Sequence, residues 1–264
     1  MLLRALRLVK GAILPGAILV SGCTSEVAGE DEYSDKYRID QLNASYGAFA
    51  DEGNLRVFAA LLGEKGFVRL RGADRIEITV DGQPAPSRER IIDKRVHYIA
   101  ELAPPPGATE ISIAFVRGAE RVVGTIKLAG AFAVPGAPAT LRIGDVATLD
   151  VDPRPDPAAF RTFFGPTLAG RAELHGDCLE PSPQQIPLCA EGSTAADCKP
   201  GYPMRLDTTK IKLRADTTSC EVAVQVRLVT THAPIEGEGP EKTKFKGGGF
   251  EGHRLRSFTA RLER

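Results

Sequence analysis

The sequence predicts an all-β protein: two β-sandwiches in tandem, preceded by a secretory leader and a short disordered tether. Apolar residues between Leu42 and Ala129 recur with a period of two, and Glu221–Thr230 repeats the pattern. Turn-forming pairs such as Asp81-Gly82 and Gly118-Ala119 punctuate those runs. No stretch of about 12 residues or more carries a helical period. The 264 residues include 34 basic and 34 acidic side chains and are 42% hydrophobic, which excludes a disordered chain, a polytopic membrane protein and a nucleic-acid binder with a basic footprint.

Residues 1–22 are read as the leader. Arg4, Arg7 and Lys10 form a basic start, Gly11 to Val20 is apolar, and Ser21-Gly22 precedes Cys23. The apolar run is about half the ~20 residues a membrane-spanning helix needs, and Pro15-Gly16 interrupts it. Val20-Ser21-Gly22-Cys23 resembles the bacterial lipobox, a likeness confined to this N-terminal stretch. The resemblance implies cleavage before Cys23 and acylation of its sulfur, with the membrane as a partner through that anchor. Two or three acyl chains hold a protein firmly where one binds marginally. Thr24, in place of the Asp that retains Gram-negative lipoproteins in the inner membrane, points to the outer membrane.

Removing the three leader cations from 34 leaves 31 basic residues against 34 acidic ones. The excess lies in residues 23–37, where Glu26, Glu30, Asp31, Glu32 and Asp35 face Lys36 alone, and this stretch is read as a flexible tether.

Residues 38–132 form the first expected domain. Its strands are Gln41–Ala50, Asn54–Leu62, Phe67–Leu70, Arg75–Val80, Val96–Leu102, Thr109–Arg117 and Arg121–Leu128. In Arg75–Val80, Ile76, Ile78 and Val80 face one way and the polar side chains the other. About seven short strands in ~90 residues resemble an immunoglobulin-like or fibronectin-like sandwich in architecture, without the Cys…Trp…Cys core of antibody domains. Gly, Ala and Pro crowd residues 130–139, and a boundary is expected there.

Residues 139–264 form the second expected sandwich, with strands Thr140–Ile143, Val146–Val151, Leu168–His175, Lys210–Arg214, Glu221–Thr230 and Phe250–Leu262. Val222, Val224, Val226 and Leu228 share one face. Residues 152–166 and 177–203 read as long loops.

With Cys23 assigned to lipid, Cys178, Cys189, Cys198 and Cys220 remain, an even set outside the cytoplasm. Three pairings are possible. Cys178 ends a strand, Cys220 begins one, and the other two lie between, which favours Cys178–Cys220 with Cys189–Cys198 nested inside. Intervals of 10, 8 and 21 residues contain no C-x-x-C zinc or redox motif.

Other candidate chemistry is sparse. Asp145, Asp150, Asp152 and Asp156 offer hard oxygen ligands suited to calcium, although Arg154 breaks any EF-hand spacing. Lys242, Lys244 and Lys246 alternate, so an extended chain projects all three to one side, as an anion-gripping surface or a protected sheet edge. His97, His175, His232 and His253 are scattered without H-E-x-x-H, and no G-x-S-x-G elbow occurs. The absence of Trp, with five Tyr and 11 Phe, gives little support to glycan stacking.

These observations lead to the expectation of a lipid-anchored protein of the bacterial cell envelope, at the outer membrane. It is expected to act as a binding or structural module rather than an enzyme, with an envelope protein or glycan as partner, no nucleic acid and no cofactor. The alternative is a calcium- or glycan-dependent adhesion module, and an envelope enzyme without a recognisable motif comes third.

Overall fold

The computed structural model describes residues 32–156, 161–162, 165–166, 168–190, 202–232, 235–238 and 244–264. The expected leader and Cys23 lie outside them. Among the described residues there is no α-helix, and the only helical turns are short 3-10 turns. The all-β class is therefore observed.

β1 (Asn43–Ala50) and β2 (Leu55–Gly63) form a hairpin, and β3 (Gly66–Phe67) folds back on β2. β4 (Arg75–Val80) and β5 (Gln83–Ala85) form the next, across Asp81 and Gly82 at φ 49° and 75°. Positive φ at both central residues is the two-residue turn whose twist matches the flanking strands. β6 (Arg88–Ile92) pairs with β7 (Arg95–Leu102), and β8 (Thr109–Arg117) with β9 (Glu120–Leu128). The later strands are β10 (Thr140–Arg142), β11 (Val146–Leu149), β12 (Arg161–Thr162), β13 (Gly165–Pro166), β14 (Leu168–His175), β15 (Gln184–Ala190), β16 (Met204–Asp207), β17 (Ser219–His232), β18 (Glu236–Glu238) and β19 (Gly247–Glu263).

Two cores are present, and strands rather than a linker join them. β19 is 17 residues long, about 55 Å of extended chain, and pairs with β17 along most of its length. On its other edge it carries two collinear parallel partners: β1 against Gly247–Arg254 and β10 against Arg261–Glu263. One sheet of order β11-β16-β15-β14-β17-β19-β1-β2-β7-β6 thus runs through both halves.

The first core lies between the β1 end of this sheet and a second sheet of order β18-β9-β8-β4-β5. It buries Tyr46, Leu55, Leu61, Ile111 and Phe115 together with Ile235, Phe245 and Phe250 from the C-terminal half. The expected division at 133–139 into 38–132 and 139–264 does not describe this packing. The first sandwich is completed by residues from 235 onward, through parallel pairing across some 200 residues of sequence that leaves no local signature.

In the second half, β10 lies parallel on β19, followed by β17, β14 and β15, while β11 pairs with β16. That is the order of an immunoglobulin GFCC′ sheet with a short strand on G, facing a B–E pair. Val222, Val224, Val226 and Leu228 are buried in its core, as their alternation predicts, with Leu141, Leu149, Leu174 and Leu206.

Four expectations need correction. The tether ends before residue 37: Glu32 and Ser34 are buried, Tyr33 bridges to Arg69, and Arg117 donates to the carbonyls of Tyr37 and Ser34 at 2.6 Å while pairing with Asp74. Phe67–Leu70 is a strand for only its first residue. Lys210–Arg214 is not a strand, because Asp207 caps a 3-10 turn over Thr208–Lys210 and leaves only a bridge from Leu213 to Leu179. The 177–203 stretch contains β15.

Candidate binding surfaces

The disulfide Cys178–Cys220 is present, with Cα atoms 6.4 Å apart, and ties the end of β14 to the start of β17 beside the second core. Cys189 on β15 is not a free thiol either. Cys198 lies outside the described residues.

The four aspartates are not drawn together. Asp150 takes two contacts from Arg154, at 3.0 and 2.8 Å, and accepts from the Val151 amide; the Arg154 hydrogen bonds hold its carboxyl below the usual range. Asp152 contributes its backbone to a bridge with Ala133, Asp145 stands at the β10–β11 turn, and Asp156 is exposed. Among the described residues no group of three His, Cys, Asp or Glu side chains is placed to hold a metal. Lys242 lies outside the described residues. Lys244 and Lys246 are exposed as their alternation predicts, and Phe245 between them anchors the segment in the first core against Tyr46 and Phe115.

The most organised polar chemistry lies elsewhere, on the outer face of the long sheet. Since Val222 to Leu228 point inward, the alternate residues Gln225 and Arg227 point outward, opposite Glu173 and Arg171 of β14. Gln225 and Arg227 are nevertheless buried, as is Glu173 at 3% exposure. Glu173 is the hub: Arg227 Nη2 lies 2.5 Å from Oε2, His175 Nε2 2.7 Å from Oε1, and Gln185 Nε2 donates to Oε2 at 3.1 Å. Arg227 Nε donates to Gln225 at 2.9 Å. Burial pulls the Arg227 guanidinium below its ordinary range, against the opposing charge of Glu173.

Two strands away the same spacing recurs as Glu251 and His253 on β19. His253 beside it and the charge of Arg171 hold the Glu251 carboxyl low despite its burial. From His253 the face turns aromatic. Its ring stacks on Phe49 at 4.4 Å, Phe49 on Phe58 at 5.7 Å, and Phe58 meets the edge of His97 at 5.8 Å. Burial, and then the Arg95 charge, lower the His97 pKa. Gly47 makes this ladder possible, because a Cβ there would stand 2.3 Å from the Phe58 ring.

Sequence reasoning missed this row. Its signal was present in the polar alternates Glu173/His175, Gln225/Arg227 and Glu251/His253, which ordinary amphipathic strands expose to water. What the row can do chemically depends on which of its groups are paired. Glu173 Oε2 accepts from Gln185 and stands beside Arg227. Among the described residues, by contrast, His175 Nε2, close to Oε1, and both ring nitrogens of His253 are buried atoms without a hydrogen-bond partner, and no serine, threonine or cysteine stands beside either histidine.

No protein-family model and no curated protein matches the chain. Among solved structures, the titin I-band fragment I67–I69 is 8% identical over 84% of this chain, with a TM-score of 0.25; the chain covers 64% of that fragment. The titin domains Z1Z2 in complex with telethonin are 13% identical over 86% of this chain and 98% of theirs, again at 0.25. The titin tandem A164–A165 is 11% identical over 84% and 94%, at 0.25. At these TM-scores the similarities carry no argument, and the fold class rests on the strand order within this chain.

Proposed function

We propose that the protein is a lipoprotein of the bacterial cell envelope, held at the outer membrane by acylation of Cys23, and that it acts as a non-enzymatic binding or structural module. The observation that carries the second part is the buried pairing of Glu173 with Arg227 on the outer face, which ties β14 to β17 instead of opening to solvent. The shared strands β17 and β19 fit a module whose surfaces are held in fixed relation.

The anchor reading rests on the basic start, the apolar run and Val20-Ser21-Gly22-Cys23. With Glu32 already docked on the first sandwich, the nine residues after Cys23 reach at most ~30 Å, so the fold stands close to the headgroups. Oxidation in the envelope suits the second expected bridge, Cys189–Cys198, which would staple residues 191–201 to β15.

Cell fractionation tests the anchor: Cys23→Ala moves the protein from the membrane pellet to the soluble fraction, and an unchanged distribution overturns it. A panel of ester, peptide, glycoside and phosphate substrates tests the non-enzymatic reading. Turnover that co-purifies with the protein and disappears when it is unfolded overturns that.

A further inference from the structure

The second sandwich is closed along one side and open along the other. β15 bends across to pair with β16, Cys189 opposite Arg205 and Ala190 opposite Met204, so the two layers are continuous there. On the opposite side β10 ends one layer and β11 the other. β11 is bonded to β16 on one edge; on the other, among the described residues, it is unpaired over Val146–Leu149, and the chain beyond it bridges to Ala133 only at Asp152. A cleft of about 620 Å³ opens between them, with Leu141, Val146 and Ala147 on its walls and Arg142, Asp145 and Glu263 at its rim. Val146 is 42% exposed, one of only two large hydrophobic residues so open among those described.

We propose that this edge takes up an extended segment of a partner polypeptide as an added strand on β11, with a bulky apolar side chain of the partner seated in the cleft opposite Ala147 and a basic one opposite Asp145. Main-chain hydrogen bonds to a free edge supply affinity in such pairings, and pockets for alternate side chains supply specificity.

Three features of the edge favour the proposal. Val146-Ala147-Thr148-Leu149 contains no charge and no proline, so it lacks the usual devices that keep strands from pairing. The other end of the same sheet, β6, carries Arg88, Glu89 and Arg90, and is protected. Asp145 makes no ion pair among the described residues, so its carboxylate is available to a cation beside the apolar cleft.

A second copy of the chain is a poor occupant. Antiparallel self-pairing that keeps like faces together opposes Ala147 to Ala147, to Asp145 or to Leu149. The first leaves the cleft unfilled, and the second puts a carboxylate against its apolar wall. The third needs Leu149, which is 1% exposed and committed to its own core. A foreign strand with a large side chain at that position meets none of these obstacles.

This inference rests on the binding-module reading and names its partner class; its test does not depend on the lipid anchor. A fluorescein-labelled heptapeptide Thr-Val-Thr-Phe-Thr-Lys-Thr is titrated with the full chain by anisotropy. In antiparallel register its Phe falls opposite Ala147 and its Lys opposite Asp145. Saturable binding is expected, weakened about tenfold or more by replacing the peptide Phe with Ala. Ala147→Phe, which fills the cleft from within, and Val146→Lys, which charges the edge at an exposed position, should each weaken it about tenfold. Asp145→Lys should reverse the preference toward a peptide with Glu in place of Lys. Far-ultraviolet circular dichroism identifies any variant that misfolds, and the exposed Val146→Lys keeps the test decisive if Ala147→Phe does. Absence of binding up to about 1 mM, or binding indifferent to all three substitutions, overturns the proposal. So does a sedimentation profile in which the chain dimerises through this edge and Val146→Lys separates the copies.

Discussion

Removing the hub of the outer-face row is a sharp test of what that row does. In Glu173→Ala the Arg227 guanidinium, its side chain 9% exposed, keeps its burial and loses the carboxylate 2.5 Å away. Leaving one member of a buried pair uncompensated costs about 3–5 kcal/mol. The double variant Glu173→Leu with Arg227→Met removes both charges and fills the same space, and such replacements are neutral or stabilising by about 1–4 kcal/mol. The chain has no Trp, so its five Tyr provide the fluorescence signal for urea unfolding. With an m-value of about 2.5 kcal/mol/M, the single variant lowers the midpoint by roughly 1–2 M, and the double variant leaves it unchanged or higher. If Glu173→Ala moves the midpoint by less than about 0.4 M, the row is solvated and the pair does not tie the strands together. Equal losses in the single and double variants would show instead that the site depends on its particular polar geometry.

Reducing or removing Cys178–Cys220, as in Cys178→Ala with Cys220→Ala, frees a loop whose ends are 42 residues apart and should cost about 4 kcal/mol, read from the urea midpoint of the oxidised wild type. Gly47→Ala places a methyl group against the Phe58 ring and should cost about 1–3 kcal/mol; Phe58→Leu in the same chain should recover part of it, and additive losses would refute the contact. Acid should destabilise the first sandwich. Burial alone would raise the Asp74 carboxyl, but hydrogen bonds from Arg117 and Ser34 and the Arg117 charge outweigh it and hold the pKa low. A carboxyl depressed on folding contributes stability that is complete above its unfolded pKa of about 3.9 and is lost as pH falls through the folded value. The urea midpoint should therefore drop below about pH 4, and Asp74→Asn should be less stable at neutral pH with a shallower acid slope.

How far the sequence reveals this fold depends on how local each signal is. Arg75–Val80, Thr109–Arg117 and Leu168–His175 match their expected limits, because period-two alternation and hairpin turns act over a few residues. β6 escaped because Arg-Glu-Arg has no apolar alternation and its place at a sheet end needs none. β15 escaped because Pro187 argues against a strand. The proline is tolerated there because β15 pairs along Gln184–Leu188 with β14 only, and meets β16 just at Cys189 and Ala190. The outer-face row was hidden for a different reason. Burial of Gln225 and Arg227 follows from the neighbours that cover them across three strands, and period two assigns such residues to water.

The parallel contact of β1 with β19 was the least legible feature and has the largest consequence. Between Arg254, the last partner of β1, and Arg261, the first partner of β10, that edge of β19 pairs with no strand among the described residues, and the halves are joined through β14, β17 and β19. An ion pair from Arg256 to Glu52 spans this stretch, and Gly252 lets Ile126 and Leu128 of the second layer approach to within 3.3 Å of where a Cβ would stand. A hinge needs a few residues free to change φ and ψ without breaking other structure. Here rotation of one core against the other must break β17–β19 hydrogen bonds, so the natural low-energy motion is twisting of the ribbon rather than bending at a joint. Loss of either core strips β17 and β19 of packing along strands that the other core also uses. The two sandwiches should accordingly unfold in a single transition, coincident by tyrosine fluorescence and far-ultraviolet circular dichroism. Two separated transitions would mean that the strands are shared in outline but not in energy.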